Sequence, residues 1–289
     1  MIIKNKKIRF KLKRIILNIF FYFYNLNPNR KLSKYFYYTK SDKYPKYADL
    51  YNVVQTLTNY KKFNKILEIG IGGHDLEFQG GGSLMALSYF FNKSKIYGLD
   101  LINKEFVNTK RIKALVGSQN DQKTLEKIGK NNGLFDVIID DGSHFVDHQL
   151  TSFKTLYKYL NNNGLYIIED LSGSYKKSTN GDPNLSSNKN IIEYFSKHVH
   201  STNSQFLINK VRKKKEYLDI SKIFFFGGAV LIQKKLKKKQ KSYSEKLAYQ
   251  KLSTQNKNRK KITLHDNLIK PIKLKNGLIK FTTNDLGRN

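Results

Sequence analysis

Phe135-Asp136-Val137-Ile138-Ile139-Asp140-Asp141-Gly142-Ser143-His144 is an apolar run that stops abruptly in two carboxylates, a glycine and a histidine. A second stretch, Gly164-Leu165-Tyr166-Ile167-Ile168-Glu169-Asp170, ends in the same way. Each reads as a buried β-strand, and its acids belong at the open end, because an unpaired buried carboxylate is costly. Two such ends on neighbouring strands gather three or four carboxylates and a histidine in one crevice. That set suits a hard divalent cation beside a general base.

Outward from these runs, strands are predicted at Lys65 to Gly70, Lys95 to Asp100, Ile112 to Gly117, Phe135 to Asp140 and Leu165 to Glu169. The intervals leave room for crossover helices, which implies a mostly parallel sheet. One helix is predicted from Val146, Leu150, Phe153, Tyr157 and Leu160, with Ser143 as its N-cap and Asn161-Asn162-Asn163-Gly164 as its stop. Phe224-Phe225-Phe226 and Ala229-Val230-Leu231-Ile232 flank Gly227-Gly228, the signature of a hairpin. There is no internal repeat.

Glu68-Ile69-Gly70-Ile71-Gly72-Gly73 follows the first strand. Glycines let backbone approach a ligand closely, although many structural turns are equally glycine-rich. Asp100, at the end of the second strand, suits a ribose diol. It lies about 30 residues on, beyond the usual dinucleotide spacing of about 20. The insertion contains Gln79-Gly80-Gly81-Gly82-Ser83-Leu84, either a flexible loop or a second backbone cradle.

The 289 residues contain no cysteine, which excludes disulfides, thiolate zinc sites and cysteine nucleophiles. The net charge is +32, concentrated in the flanks. Residues 1–48 hold 13 basic and 1 acidic side chain, and residues 234–261 hold 12 and 1, whereas 49–233 hold 24 and 18. Nucleic acid is the obvious partner for such flanks. Yet 47 of the 54 basic residues are Lys and only 7 are Arg, the better phosphate fork. A coding bias towards Lys, Asn, Ile, Tyr and Phe, or contact with an anionic membrane surface, accounts for the charge as well. Lys4, Lys6, Lys7, Arg9, Lys11, Lys13 and Arg14 precede Ile15-Ile16-Leu17-Asn18-Ile19-Phe20-Phe21-Tyr22-Phe23-Tyr24. That run is shorter than the roughly 20 residues needed to span a bilayer, and no secretory cleavage site follows it. It is either an interfacial helix or a first helix packed on the domain.

Taken in order, Glu68-Ile69-Gly70-Ile71-Gly72-Gly73, Gly80-Gly81-Gly82-Ser83-Leu84, Ile96-Tyr97-Gly98-Leu99-Asp100, Gly117-Ser118-Gln119, Ile139-Asp140-Asp141-Gly142-Ser143-His144 and Tyr166-Ile167-Ile168-Glu169-Asp170-Leu171 resemble the metal-dependent sugar O-methyltransferases of macrolide pathways. Cephalosporin-hydroxylase-like proteins are related to these. The resemblance runs from about Thr39 to Lys234 and takes in Ser41-Asp42-Lys43 with Tyr47 and Tyr51. It implies an α/β, Rossmann-like class I methyltransferase fold: a mostly parallel seven-stranded sheet with a C-terminal antiparallel hairpin. It implies S-adenosylmethionine and Mg2+ as cofactors and a sugar or glycoside as substrate. Glu68, Gly70 and Gly72 would line the donor's methionine side, with Ser83 near it. Asp100 would hold the ribose, Ser118 and Gln119 would approach the adenine, and Asp140 would lie nearby. Asp141, Glu169 and Asp170 would hold the metal, and His144 would act as base. His148, one turn after His144, is either an orienting or a packing residue. His74 stands where related sequences often carry an aromatic residue.

The expected organisation is a basic, aromatic segment at 1–38, a methyltransferase domain at 39–234 and a Lys-rich extension at 235–289. A cytoplasmic enzyme, peripheral to the inner face of the membrane, fits this reading, and relatives often assemble as homo-oligomers. Two alternatives stay open: a methyltransferase directed at RNA or another polyanion, and a non-enzymatic membrane- or polyanion-binding protein on the same scaffold. A role as an iron oxygenase lacks an obvious two-histidine, one-carboxylate set.

Overall fold

The structure, a computed structural model, describes residues 2–57, 63–73, 76, 78–187, 189–203, 219–236, 270–273 and 279–282. His74 and most of the 235–289 stretch lie outside the described residues. The chain divides into two compact units, Met1–Lys237 and Lys238–Asn289.

Four helices come first: α1 (Ile2–Tyr24), α2 (Leu32–Thr39), α3 (Lys43–Lys46) and α4 (Ala48–Leu57). Strands and helices then alternate: β1 (Lys65–Ile69), α5 (Gly82–Phe90), β2 (Lys95–Asp100), β3 (Ile112–Val116), α6 (Gln122–Asn132), β4 (Phe135–Asp140), α7 (Val146–Leu156) and β5 (Leu160–Ile168). Two short helices, α8 (Ile191–Lys197) and α9 (Val199–Thr202), lead to the hairpin β6 (Ile220–Phe226) and β7 (Ala229–Lys234). The sheet order is β3-β2-β1-β4-β5-β7-β6. β1 to β5 pair in parallel, and β7 pairs antiparallel with both β5 and β6. The predicted mostly parallel sheet and the hairpin across Gly227-Gly228 are therefore both present. In the second unit, β8 (Lys270–Lys273) and β9 (Ile279–Thr282) form an antiparallel pair.

The sheet is covered on both faces, which explains the unbroken apolar runs of its central strands. Alternate residues face opposite ways. Val137 and Ile139 of β4 join one core with Ile66, Leu84 and Phe90. Ile138 joins the other with Leu67, Phe153 and Tyr166.

Two local expectations give way. α7 begins at Val146, and its N-cap is Phe145, with no side-chain cap hydrogen bond. Ser143 is instead turned to His148, with Oγ 2.7 Å from Nδ1. Leu160 and the Asn161–Gly164 stretch belong to β5 rather than to the end of the helix. The helical spacing ends at Leu156 and a short 3-10 turn over Tyr157–Tyr159, after which pairing of Phe135 with Leu160 draws the chain into the sheet.

α1 packs on the domain. Leu17 and Phe21 are buried in the first core. Phe21 stacks between Tyr35 and Tyr89, with ring centroids at 4.7 and 4.4 Å. Lys13 Nζ donates to the Thr39 carbonyl at 3.2 Å, and Tyr89 donates to Asn18 Oδ1 at 2.8 Å. Phe21→Ala is expected to lower unfolding free energy by about 3–5 kcal/mol, the usual cost of deleting a buried ring. An unchanged urea midpoint would show that α1 contributes nothing to the fold.

Candidate active site

Parallel sheets of this kind bind ligands beyond the carboxyl ends of their strands. Here a cavity of about 510 Å³ opens over the ends of β1, β2 and β4, between Gly70–Gly73 and Gly80–Ser83 on one side and Asp141–His144 with Asp170 on the other. Its size suits a cofactor. The glycines are required by close approach. At Gly70, φ is +89° and a Cβ would overlap the Asp141 carbonyl. At Gly80, φ is +98° and a Cβ would overlap the carbonyls of Ile71 and Gly72. Gly81 N–H donates to the Ile71 carbonyl at 2.7 Å, locking the two glycine stretches together. The inserted glycines thus form a second wall of backbone.

Asp100 lines the cavity and is fixed by backbone donors, Ile71 N–H to Oδ2 and Ile102 N–H to Oδ1, both at 2.9 Å. Its remaining lone pairs are available to a diol. Ser118 and Gln119 also line the cavity. Gln119 accepts from Ser143 N–H at 2.7 Å and donates to Asp140 at 3.0 Å, which ties the β3 end to the β4 end.

Two residues expected at the cofactor do not line the cavity: Glu68 and Asp140. Strand alternation explains both, because each carboxylate is completely buried behind the strand ends. Glu68 accepts from Ser83 at 2.8 Å and faces Lys43 at 3.2 Å. Burial pushes its carboxyl up to about 7, against the opposing pull of Lys43. Asp140 accepts from Gln119 and Ser152. Burial also raises it to about 7, although those hydrogen bonds favour the charged form. Ser83 does line the cavity, so Glu68 acts on that wall through Ser83.

The acids proposed for the metal divide into two groups. Asp141, His144 and Asp170 each present one donor atom, all within 4.8 Å of one another. Glu169 is fully buried and points elsewhere: Tyr51 donates to Oε1, and Lys43 donates to Oε2 at 2.8 Å. Lys43 also donates to Asp141 Oδ2 at 2.5 Å. This lysine, 1% exposed, therefore stands among Glu68, Asp141 and Glu169. Burial alone would lower its pKa, but Glu169, Tyr51, Asp141 and Glu68 hold it well above the ordinary lysine value. The same burial pushes Glu169 upward.

Asp170 is held separately. Tyr47 donates to its Oδ1 at 3.0 Å and accepts from its N–H at 3.1 Å, and Lys46 pairs with the same oxygen. Burial would raise Asp170, yet the hydrogen bonds from Lys46 and Tyr47 outweigh it and keep the carboxyl below its usual value. Asp170 and His144 both take left-handed backbone conformations, with φ at 52° and 61°. His144 Nε2 lies 3.8 Å from Asp170 Oδ2. Its Nδ1 is buried with no hydrogen-bond partner among the described residues. His148 lines the cavity, bonded to Ser143 and stacked on Phe145 at 5.2 Å.

Lys43, Lys46, Tyr47 and Tyr51 were not assigned roles from sequence. The signal was present: Lys43, Tyr47 and Tyr51 recur every fourth residue, the spacing of one helical face. Nothing in that spacing shows that the face meets acids about 100 residues away.

The strand order, with one antiparallel strand next to the edge, is that of class I methyltransferases. The MycE methyltransferase from the mycinamycin biosynthetic pathway, solved in complex with Mg, SAH and mycinamycin VI, shares the fold. It has a TM-score of 0.64 and 26% identity, covering 75% of this chain and 58% of that one. Over 118 residues, 41% of this chain, the sequence is 44% identical to demethylmacrocin O-methyltransferase of Streptomyces fradiae. Over 111 residues it is 44% identical to mycinamicin VI 2''-O-methyltransferase of Micromonospora griseorubida, matching 38% of this chain. These matches span 30% and 28% of the two relatives, under a third of their length. No family model matches the chain. Over these stretches the chain is similar to macrolide sugar O-methyltransferases.

Removing Lys43 while keeping its size leaves buried carboxylates without their cation. Breaking such a cluster typically costs about 3–5 kcal/mol. Lys43→Met is expected to lose stability of that order in chemical denaturation. An unchanged midpoint would show that the lysine is not the cluster's counter-charge.

Proposed function

We propose that the protein is an S-adenosylmethionine- and Mg2+-dependent O-methyltransferase acting on a sugar hydroxyl, in the biosynthesis of a bacterial surface glycan or a glycosylated natural product. The observation that carries this reading is the convergence of Asp141, His144 and Asp170 at the rim of a glycine-walled cavity that also contains Asp100. The similarity to sugar O-methyltransferases supports it. Asp141 and Asp170 fit a hard cation, since both are oxygen donors with lone pairs to spare. His144 is the softer donor of the three and suits proton transfer. Glu169 is fully buried and turned to Lys43 and Tyr51, so it stands behind this donor set rather than in it.

When bound, the sulfonium donor supplies an electrophilic methyl group and the cation makes a sugar hydroxyl more acidic. The chain's own groups supply alignment and charge. Gly70, Gly72 and the Gly80–Ser83 wall hold the donor by close backbone approach. Asp100 accepts from the ribose, and Ser118 and Gln119 flank the adenine. Since Nδ1 of His144 is buried, Nε2 is the atom that takes the acceptor's proton. Asp170, 3.8 Å away, stabilises the imidazolium that forms. The reading places the protein in the cytoplasm, with its basic N-terminal segment at the anionic inner face of the membrane.

Calorimetry is expected to detect binding of S-adenosylmethionine, and excess EDTA is expected to stop methyl transfer to a glycoside acceptor. Full activity in EDTA would remove the metal from the mechanism. Asp141→Ala is expected to abolish turnover while the protein still folds. His144→Ala should lower kcat by about 10²–10⁴-fold, the usual worth of a positioned base. Normal transfer by that variant would overturn its assignment.

A further inference from the structure

Helix α1 has two apolar faces, and the domain uses only one. Phe10, Leu17, Phe21 and Tyr24 pack inward at helical spacing. Ile8, Leu12, Ile15, Ile16, Ile19 and Phe23 are all exposed, Ile16 at 66% and Phe23 at 63%. At 100° per residue these six fall on the side of the helix opposite Leu17 and Phe21. Scattered exposed apolar residues are ordinary, whereas a continuous stripe of them marks a contact surface.

We propose that this outer face of α1 is a membrane-docking surface, which seats the helix in the interface of an anionic bilayer. The inference deepens the placement of the N-terminal segment given above and names the face that makes the contact. Three observations select a bilayer over a second copy of the chain. Helix α1 carries seven basic side chains and no acidic one, so two copies meeting through this helix would oppose like charge, whereas anionic headgroups complement it. The helix holds Lys and Arg mainly in its first fourteen residues and large apolar or aromatic residues after them, the make-up of an interfacial helix. Among the described residues, no helix is long and apolar enough to cross a membrane, so α1 would lie on the surface. The inner face is anchored by Phe21 and by Lys13 and Arg14, which donate to the carbonyls of Thr39 and Asn108 at 3.2 and 3.4 Å. The helix can therefore dock without leaving the domain.

The absence of cysteine makes a direct test available. An Ile19→Cys variant of the full chain, labelled with an environment-sensitive fluorophore, is mixed with vesicles of phosphatidylcholine and phosphatidylglycerol. Its emission is expected to shift to the blue, while a label at Lys123→Cys on α6, on the opposite side of the sheet, stays unshifted. Unlabelled protein should sediment with these vesicles, less so with phosphatidylcholine alone and less so at high salt. The pair Ile15→Asp and Ile19→Asp should weaken sedimentation more than about tenfold with an unchanged melting temperature. Protein that stays in the supernatant, or an unshifted Ile19→Cys label, overturns the proposal. So does a stable oligomer in light scattering that the same pair of substitutions converts to monomer. Binding of S-adenosylmethionine without vesicles reports on the cavity separately. Intact donor binding with no vesicle binding refutes the docking surface alone, and the reverse refutes the enzymatic reading alone.

Discussion

A single ammonium group, Nζ of Lys43, joins three parts of the molecule that are far apart in sequence. It reaches Glu68 at the end of β1, Asp141 just past β4 and Glu169 just past β5, at 3.2, 2.5 and 2.8 Å. Burying Glu68 and Glu169 beside the partly exposed Asp141 would be prohibitive without a cation among them. Their arrangement therefore depends on the short α3 helix, which lies before the sheet in the chain. Tyr51 strengthens the hold by donating to Glu169, and Tyr47 and Lys46 fix Asp170 in a parallel manner. The acidic rim of the cavity is thus built twice over: strands carry the carboxylates, and the helices before them set their direction.

This construction also separates neighbouring acids. Asp140 and Asp141 are adjacent, yet one turns into the second core towards Ser152 and Gln119 while the other faces the cavity. Glu169 and Asp170 divide similarly, the first towards Lys43 and the second towards His144. In each pair the first acid is fully buried and the second lines the cavity. The divergence follows from strand alternation at the first member and a change of backbone conformation at the second, which at Asp170 is the left-handed φ of 52°.

Much of the fold was legible because its signals are local. β1 to β4 were read to within a residue from apolar runs and their terminal glycines or acids, and Gly227-Gly228 located the hairpin. The start of β5 was missed because Leu160 continues a helical spacing that tertiary pairing with Phe135 overrides. Ser143 looked like a cap, but His148 offered its hydroxyl a better partner. At the site, Gly70, Gly72, Ser83, Asp100, Ser118 and Gln119 all line the cavity. Glu68 and Asp140 do not, since a motif identifies a residue without showing which way its side chain turns. Lys43 was the hardest to read. An isolated lysine in a Lys-rich chain has no local mark of burial, and its three partners arrive only when the sheet closes.

The glycine walls have a consequence for how such a chain can change over evolutionary time. Gly70 abuts the Asp141 carbonyl, and Gly80 abuts those of Ile71 and Gly72, so each glycine is matched to the backbone of another segment rather than to a side chain. A side-chain contact can be repaired by a compensating substitution, but a peptide group is the same whatever residue carries it. These positions therefore have no partner that can mutate to accommodate them. Diversification of this scaffold is left to surfaces that present side chains, such as the outer stripe of α1, where substitution leaves the cradle undisturbed.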